Sequence, residues 1–470
     1  MNKRKNLLTG FVLCGIAIAL AFASCSLAGD MDDLRAMAGG GGENQSESSV
    51  SIVGDNWVKG TLTAKVKLPG TEAINYEWQR EGVPIGGAAG ATYTIVSADV
   101  DKNLTVTVNR TGSGVFITSN EFKVSDFTGI YTQAELANIS GDASNYILAN
   151  NIEIQGTTWE RLFSTGDGYK GIFDGNGRTI AFGTKTSSGF TGLFGIIGSI
   201  GVVKNLRLTG SFTVTASGLA VCGTVASYNY GTIRNVSSSI KMTVTSSEGN
   251  INPGLLGGIA GYTGRNTPQL TVAIIENCYN TGTLTYSRYD GTTSSSIGGI
   301  SGDLWYGKIN NCWSSGEMGG LNLYGAPYVG GIVGNICMQA ALLNNESQVN
   351  NCVALGTLIR CRSIDGTPYG GRISSRSSTA VKYTYCYANS AMTVSSSKPT
   401  DGLTADRFNG EDVTVAVTEG SNGSWWTGTK GPGWTSSLNW GGIAANENKP
   451  WKWDGTNKRP ILWFESRVNQ

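Results

Sequence analysis

The side chains that carry most enzyme chemistry are sparse in this sequence of 470 residues, which contains no histidine. Without an imidazole that titrates near neutrality, Ser-His-Asp and Cys-His catalysis, the HExxH zinc site and any imidazole proton shuttle are excluded. An enzyme built on this chain would have to use carboxylates, tyrosine, lysine or arginine. The sequence carries no cofactor fingerprint and no CxxC pair, so we predict neither a cofactor nor a metal.

The candidate catalytic carboxylates are four aspartates, since glycosidases need two such groups about 5 to 10 Å apart. They are Asp174, Asp290, Asp303 and Asp365. Asp174 lies in an Asp-Gly-Asn-Gly sequence that is typical of a turn, and the other three are isolated in variable segments. Because no paired acids line up from repeat to repeat, we predict a protein that is not an enzyme. A polysaccharide lyase or glycosidase is the alternative.

Cys25 is the residue with the most specific predicted role. A basic start, residues 3–5, precedes the uncharged stretch 7–23, which is too short and too often interrupted for a membrane span. Residues 1–24 are therefore predicted to be a secretory signal peptide. The small residues directly before Cys25 resemble the lipobox of bacterial lipoproteins, although Phe22 stands where leucine is commonest.

This resemblance implies that the Cys25 thiol is diacylglycerylated, that the peptide is cut before it and that the new amine is acylated. Two or three acyl chains, at roughly 0.8 kcal/mol per buried methylene, make a stable anchor. The implied location is the bacterial cell envelope, in the outer membrane or at the cell surface, with the membrane as partner. Ordinary cleavage beside an incidental cysteine is the alternative. Residues 25–48 are predicted to be a flexible tether.

Overall charge and glycine content narrow the class of protein. The chain has 35 Lys and Arg against 34 Asp and Glu, a balance that gives no electrostatic basis for binding nucleic acid. It has 67 Gly and 10 Pro, a proportion that favours turns between strands over a proline-rich disordered tract.

Residues 49–125 contain short β-type segments at spacings that suit a small sandwich. Alternation in the segment 76–80 places Tyr76 and Trp78 on one face, and a central buried tryptophan suits a sandwich core. Together with the segments 92–96 and 104–108, this pattern resembles the Ig-like modules of bacterial surface proteins. The resemblance implies a spacer module, or alternatively one that binds a ligand through its loops.

Residues 127–400 are repetitive. A Gly-Gly-apolar segment recurs, as at 257–261, and an apolar-x-Asn element follows each copy. The asparagines of these elements are Asn205, Asn235, Asn277, Asn311 and Asn351, spaced by 30, 42, 34 and 40 residues. Short apolar strands separated by bends, three in each repeat, cannot stand alone and must stack. We therefore predict a parallel β-helix, with a propeller as the rival fold.

The repeated asparagines and cysteines predict two ladders along the stack. Asparagine tolerates a left-handed backbone at a corner, and its amide can bond to the asparagine above and below. The cysteines at the equivalent position of four repeats are Cys278, Cys312, Cys352 and Cys386. Since in-register side chains stand parallel, buried free thiols are expected, and a disulfide between neighbours is the alternative. The sequence leaves the state of Cys222, Cys337 and Cys361 open.

The repeats resemble a known family, the GLUG-motif proteins of bacterial surfaces. The segments that carry the resemblance are Gly-Gly-Ile-x-Gly, Ile-x-Asn-Cys-Tyr and Thr-Gly-Thr-Leu, as at 257–261, 275–279 and 281–284, and the opening coils before them, such as 173–180. The resemblance implies a right-handed parallel β-helix and a role in adhesion or the envelope. It implies no catalytic residues.

Residues 401–470 hold seven of the twelve tryptophans. One interpretation is a hydrophobic cap that covers an open end of the β-helix. The other is a carbohydrate platform, because flat indole rings stack on sugars.

The sequence therefore predicts an all-β protein: an Ig-like sandwich, then a parallel β-helix, then a Trp-rich C-terminal cap. Its predicted function is that of a lipid-anchored surface protein that binds an extracellular polysaccharide or protein without transforming it. A carbohydrate-active enzyme and a purely structural envelope protein are the alternatives.

Overall fold

The structure is a computed structural model and confirms the predicted all-β fold with large parallel sheets. It describes residues 48–247, 253–264, 272–287, 295–323, 327–336, 347–363, 369–375, 381–395, 408–434 and 446–466. Helices in these segments are short. They are the α-helices Gln133–Ala137, Val415–Glu419 and Ser424–Thr427 and the 3-10 helices Ser97–Asp99 and Ser421–Gly423.

The N-terminal module consists of two antiparallel sheets. One contains Ser49–Gly54, Thr61–Lys67 and Thr92–Thr94. The other contains Ile74–Arg80, Val83–Pro84, Asn103–Arg110, Ile117–Thr118 and Phe122–Lys123.

Trp78 lies at the centre of the core that the two sheets share. Its side chain is fully buried among Leu62, Leu104 and Val106, its ring stacks on Tyr93 at 5.6 Å, and its indole N–H donates to the Gly90 carbonyl at 2.9 Å. Alternation in the sequence predicted this central tryptophan because it places every second side chain on one face of a strand. The Ig-like assignment itself stays a prediction.

The rest of the chain winds into coils whose strands stack in parallel, as predicted for a β-helix. Each complete coil has five strand segments, so the expected three short strands were too few.

We call the five resulting faces A to E in chain order. Faces A and B are built as follows. Face A contains Phe190–Thr191, Ala220–Gly223, Gly254–Gly257, Ser296–Gly298, Tyr328–Gly330 and Tyr369–Gly371. Face B contains Phe194–Ile197, Ala226–Asn229, Ala260–Gly264, Ser301–Trp305 and Val333–Ile336.

Faces C, D and E form one continuous sheet. Face C contains Phe127–Ile130, Asn145–Leu148, Ile172–Asp174, Ala273–Glu276, Gly307–Asn310, Ser347–Asn350 and Val381–Thr384. Face D contains Ile152–Glu153, Tyr279–Asn280, Trp313–Ser314, Val353–Ala354, Tyr387–Asn389 and Glu411–Val413. Face E contains Lys241–Ser246, Leu284–Ser287, Met318–Leu323, Leu358–Ser363 and Thr393–Val394. Three longer strands cross between these faces, namely Thr179–Ser187, Val202–Ala216 and Thr232–Ser238.

The Gly-Gly segments form the corner between faces A and B, where stacked coils come closest. A Cβ on Gly258 would lie 2.0 Å from the Gly299 carbonyl oxygen, and one on Gly299 would lie 2.1 Å from that of Gly331. Neither distance leaves room for a side chain. The repeated glycine therefore reflects close backbone contact between coils rather than a left-handed backbone.

The repeated asparagines form the corner between faces C and D and adopt the predicted left-handed backbone, with φ of 52° at Asn311. Their amides form the predicted ladder: Asn311 Nδ2 donates to Asn277 Oδ1 at 3.2 Å, and Asn351 Nδ2 donates to Asn311 Oδ1 at 3.0 Å. The same bond joins Asn235 to Asn205 at 3.0 Å. Asn235 Oδ1 accepts no bond among the described residues, so the ladder is interrupted at that coil.

The four ladder cysteines are buried free thiols in the interior of the coils. Each thiol lies close to the carbonyl of the residue two positions earlier, at 3.1 Å for Cys278 and Cys312. Burial raises the pKa of Cys312 and Cys352 well above the usual range, so these thiols stay protonated. Cys222 and Cys361 are also buried and free, whereas Cys337 lies outside the described residues.

The N-terminal module docks on the first coil. Val58 pairs in parallel with Thr128 on face C, and the indole of Trp57 donates to the Tyr131 hydroxyl at 3.2 Å. Lys59 forms an ion pair with Glu135 at 2.8 Å. The module therefore continues the backbone pairing of the β-helix at its N-terminal end, where an uncovered edge would otherwise be exposed.

The C-terminal strap, which we define as the described residues 408–434 and 446–466, has two parts. Its start covers the last coil: Phe408 is buried against the main core and its carbonyl accepts from Ile373 N at 3.0 Å, while Glu411–Val413 extends face D. Its remainder ends in the antiparallel hairpin Trp451–Asp454 and Arg459–Leu462.

The strap tryptophans pack on the outer surface of face D rather than on the open end alone. Trp426, Trp434 and Trp451 are buried there against the stacked pair Tyr279 and Trp313. The predicted cover of an open end is provided by the start of the strap, whereas its buried tryptophans cover a side of the β-helix. Outward apolar residues on face D require this cover, since an exposed stripe of that size favours association.

Candidate ligand-binding surface

Face B carries a row of outward aromatic side chains, which we call the aromatic ridge. The ridge consists of Phe190, which lies on the adjoining edge of face A, and Tyr228, Tyr262 and Trp305 of face B. All four are half-buried, and none belongs to the main core. They are therefore held in place by packing at their bases while part of each ring stays accessible to solvent.

Parallel stacking of the coils sets the spacing of the ridge. Tyr228 and Tyr262 are register partners on adjacent strands, with ring centroids 5.8 Å apart. Phe190 lies 6.2 Å from Tyr228 and Trp305 lies 6.4 Å from Tyr262, so the rings are continuous along the axis of the β-helix. Tyr230 widens the ridge at 6.0 Å from Tyr228.

A row of this kind suits a long ligand that is recognised mainly by stacking. Aromatic rings offer a flat apolar face, and tyrosine and tryptophan add a polar group at the edge. The apolar faces of sugar rings stack on such surfaces, and the hydroxyls around them can bond to the polar edges. A chain of sugars laid along the axis would meet one aromatic ring after another.

Asp303 is the candidate carboxylate from the sequence that the structure brings to this surface. It stands in register between Tyr262 and Asn335 on face B, and its exposed fraction is 7%. The other described members of this column are Ile196, Tyr228 and Tyr262, so no second carboxylate joins Asp303 within the described part of the column. This arrangement does not provide the pair of acids that a glycosidase uses.

The other predicted site residues lie elsewhere. Asp174 forms a turn as expected: its Oδ1 accepts from Asn176 N at 2.8 Å and from Asn205 Nδ2 at 3.1 Å. It also forms an ion pair with Lys204 at 3.2 Å. Cys25, Asp290 and Asp365 lie outside the described residues.

The strap tryptophans are poorly placed to act as a sugar platform. Trp426, Trp434 and Trp451 are buried in the cluster on face D, so their ring faces are occupied by protein. Trp425 and Trp453 are only partly buried at its edge, and Trp440 lies outside the described residues. Of the two interpretations of this segment, hydrophobic cover accounts for the buried rings.

A buried carboxyl group joins the strap to the coils. Glu465 Oε1 accepts from the Ser237 hydroxyl at 2.5 Å, and Oε2 accepts from the Tyr279 hydroxyl at 2.9 Å and from Leu462 N at 3.0 Å. Burial raises the pKa of Glu465, although these bonds and Arg207 oppose the shift. The group stabilises the strap rather than presenting a reactive site, because it is fully enclosed.

The described segments contain neither a cluster of metal ligands nor a membrane-spanning helix. No three acidic or cysteine side chains in them converge as metal ligands would. No helix in the same segments combines the length and apolar character needed to cross a membrane.

Sequence reasoning did not identify the aromatic ridge, although a signal was present. Tyr228, Tyr262 and Asp303 each lie four residues after the second position of the Gly-Gly segment, at Thr224, Gly258 and Gly299 respectively. That offset marks the outward position on face B. Recognising the ridge required knowing that these positions stack in register on a solvent-facing side.

Comparison with known proteins gives one partial match. Over 144 residues the chain is 32% identical to a protein of Evansella cellulosilytica named "Putative Gly-rich membrane protein". The match covers 28% of this chain and 17% of that protein, so the chain spans a small part of its relative. No family model matches the chain, and no solved structure matches it.

Proposed function

We propose that this protein is a lipid-anchored component of the bacterial cell envelope that binds an extracellular polysaccharide along the aromatic ridge. The observation that carries the binding proposal is the continuous row Phe190, Tyr228, Tyr262 and Trp305, with neighbouring rings about one coil apart. The row is accessible, whereas Trp426, Trp434 and Trp451 of the strap are buried. A polysaccharide fits better than a folded protein because the ridge is narrow and repeats along one axis.

The anchor proposal rests on Cys25 and the preceding signal-peptide pattern. The Evansella relative is named a membrane protein, which is compatible with a location at a membrane. In this arrangement the tether, residues 25–48, and the docked N-terminal module hold the β-helix away from the lipid surface. The GLUG resemblance of the repeats supports the same location.

The binding proposal is tested with a panel of neutral and acidic polysaccharides immobilised on a sensor surface. We expect the purified full chain to bind at least one of them, and the double variant Tyr228→Ala, Tyr262→Ala to lose at least about tenfold in affinity, as removal of two stacking rings would cause. Tyr369→Ala is the matched control, since Tyr369 is also half-buried and stacked, on Tyr328 of face A. Equal losses in the control and the ridge variant would contradict the assignment.

Asp303 provides the specific observation for a second candidate, a carbohydrate-active enzyme, because its carboxyl group lies in line with the ridge. The same polysaccharides should be incubated with the protein, with unsaturated products read by absorbance and new reducing ends by a colour assay. We expect no product. Product that disappears in Asp303→Asn would replace the binding proposal with a lyase or glycosidase.

A further inference from the structure

A surface cavity of about 290 Å³ lies at the N-terminal end of the aromatic ridge. Phe190, the first ring of the ridge, forms part of its wall. Arg161 lines the same cavity, with its guanidinium over the Phe190 ring at 5.1 Å. The cavity and the ridge therefore share one side chain and form a continuous surface.

The Arg161 guanidinium has no close ion-pair partner among the described residues. It forms no ion pair or hydrogen bond with another described side chain, and its contact with Phe190 is a cation–π interaction. The adjacent Glu160 is exposed, lines the same cavity and interacts electrostatically with Arg161 without forming a close ion pair. Burial lowers the pKa of Arg161, yet a guanidinium stays charged at any physiological pH.

The remaining wall of the cavity consists of Trp159, Glu160 and four small polar residues. Thr158, Thr186, Ser187 and Ser188 supply hydroxyl groups around the aromatic ring. The hydroxyls of Thr186 and Ser187 bond to backbone carbonyls, at 3.3 Å and 3.0 Å, whereas those of Thr158 and Ser188 are exposed. A ring face, donor and acceptor hydroxyls and one cation are the groups that would recognise a sugar with an acidic substituent, and the Glu160 carboxylate can accept hydrogen bonds from the sugar hydroxyls.

We infer that this cavity is a subsite for an acidic sugar residue, one that bears a carboxylate or a sulfate held by Arg161. The planar guanidinium suits either anion, because two of its N–H groups can bond to two oxygens at once. The inference rests on the proposed function, since the ridge would bind the sugars that follow. It assigns the ligand class as an acidic polysaccharide, one acidic group of which binds to Arg161 at one end of the ridge.

The test compares polygalacturonate with its methyl ester, which share a backbone and differ in charge, and adds dextran sulfate and dextran as a sulfated and neutral pair. We expect the full chain to bind one acidic polymer more tightly than its neutral counterpart. Arg161→Gln should reduce that preference by about tenfold, the effect of losing a charge-assisted bond. Arg161→Lys should retain part of it.

Lys241→Gln is the matched control, because it removes an exposed positive charge from face E and should leave the preference unchanged. Ridge-dependent binding that is equal for acidic and neutral polymers, or insensitive to Arg161→Gln, would overturn the subsite and leave the proposed function standing. Binding that does not depend on Tyr228 and Tyr262, or no binding to any of the four polymers, would overturn both. The two acidic polymers distinguish a carboxylate from a sulfate.

Discussion

At the scale of single residues, the asparagine corners combine two stabilising effects. Asn311 adopts a left-handed backbone, which most L-residues adopt only at a cost of about 1–2 kcal/mol. Its amide also bonds to both Asn277 and Asn351. A single residue type thus turns the chain and ties three successive coils together.

Two substitutions at Asn311 separate these effects. Asn311→Gly keeps the left-handed backbone and loses the amide bonds, so we expect a loss of about 1–3 kcal/mol, the usual penalty for unpaired buried polar groups. Asn311→Ala should be less stable still, because alanine adds backbone strain. Denaturant midpoints measure both variants against the wild type. Midpoints that match the wild type would mean that the ladder contributes nothing.

Cys25 is the other residue whose role is open to a direct test. Growth of cells with an alkynyl fatty acid should label the wild-type protein, because the lipobox resemblance predicts acylation at this position. Cys25→Ser should abolish the label, since serine lacks the thiol that receives the diacylglyceryl group. Equal labelling of the two proteins would show that the anchor is absent or lies elsewhere.

At the scale of elements, the Gly-Gly corner sets how closely the coils stack. The Cβ of an alanine at position 299 would lie 2.1 Å from the Gly331 carbonyl oxygen and 2.4 Å from the Ser314 hydroxyl. Backbone atoms of two coils would have to separate to admit it. The corner therefore depends on the absence of a side chain.

Gly299→Ala is expected to reduce the free energy of unfolding by about 1–3 kcal/mol, the usual cost of overpacking. Gly218→Ala is the matched control in the same β-helix, because its Cβ would meet no atom within 4 Å. Thermal unfolding followed by circular dichroism compares the two. A control that is destabilised as much as Gly299→Ala would show that the loss is not due to close stacking.

At the scale of the whole molecule, the C-terminal strap connects coils that are far apart in sequence. Glu447 forms ion pairs with Lys204 at 2.8 Å and with Arg234 at 2.6 Å. Glu465 bonds to Ser237 and Tyr279 in the same region, while Trp425 packs on Tyr387 near the last coil. The strap thus covers face D over several coils and links these coils to the C-terminal segment.

The buried Glu465 predicts a dependence of stability on pH. Its folded pKa is raised above the ordinary value of 4.5 by burial, so the folded state holds the proton more tightly than the unfolded state. Its contribution is therefore fully present below about pH 4.5 and is lost as the pH rises through the folded pKa. Glutamine resembles the protonated acid and does not titrate, so Glu465→Gln should keep that contribution to stability as the pH rises.

Unfolding of the wild type and Glu465→Gln should be measured by denaturant between pH 4.5 and 8. We expect the variant to gain stability relative to the wild type as the pH rises. Glu419→Gln is the control, because Glu419 is partly exposed in its ion pair with Arg459. A constant difference between wild type and Glu465→Gln across this range would contradict the raised pKa.

Local pattern determined the all-β class, the parallel coils, the central Trp78, the left-handed asparagines and the buried cysteines. Each of these follows from side-chain alternation, from repeat spacing or from the conformational preference of one residue type. All three can be recognised within a short stretch of sequence. The repeats nevertheless predict three strands in each coil, whereas the structure has five segments. The Asn corner divides one apolar run between two faces, and local pattern does not show that division.

Only the tertiary structure decided which side of the coils is covered and which is free. Ser237 and Glu465 are 228 residues apart, and no local pattern specifies that they meet. Because the strap packs on face D, Trp426, Trp434 and Trp451 are buried, while the aromatic residues of face B stay partly accessible. Outward aromatics on both faces look alike in the sequence, and their difference arises from burial by a distant segment.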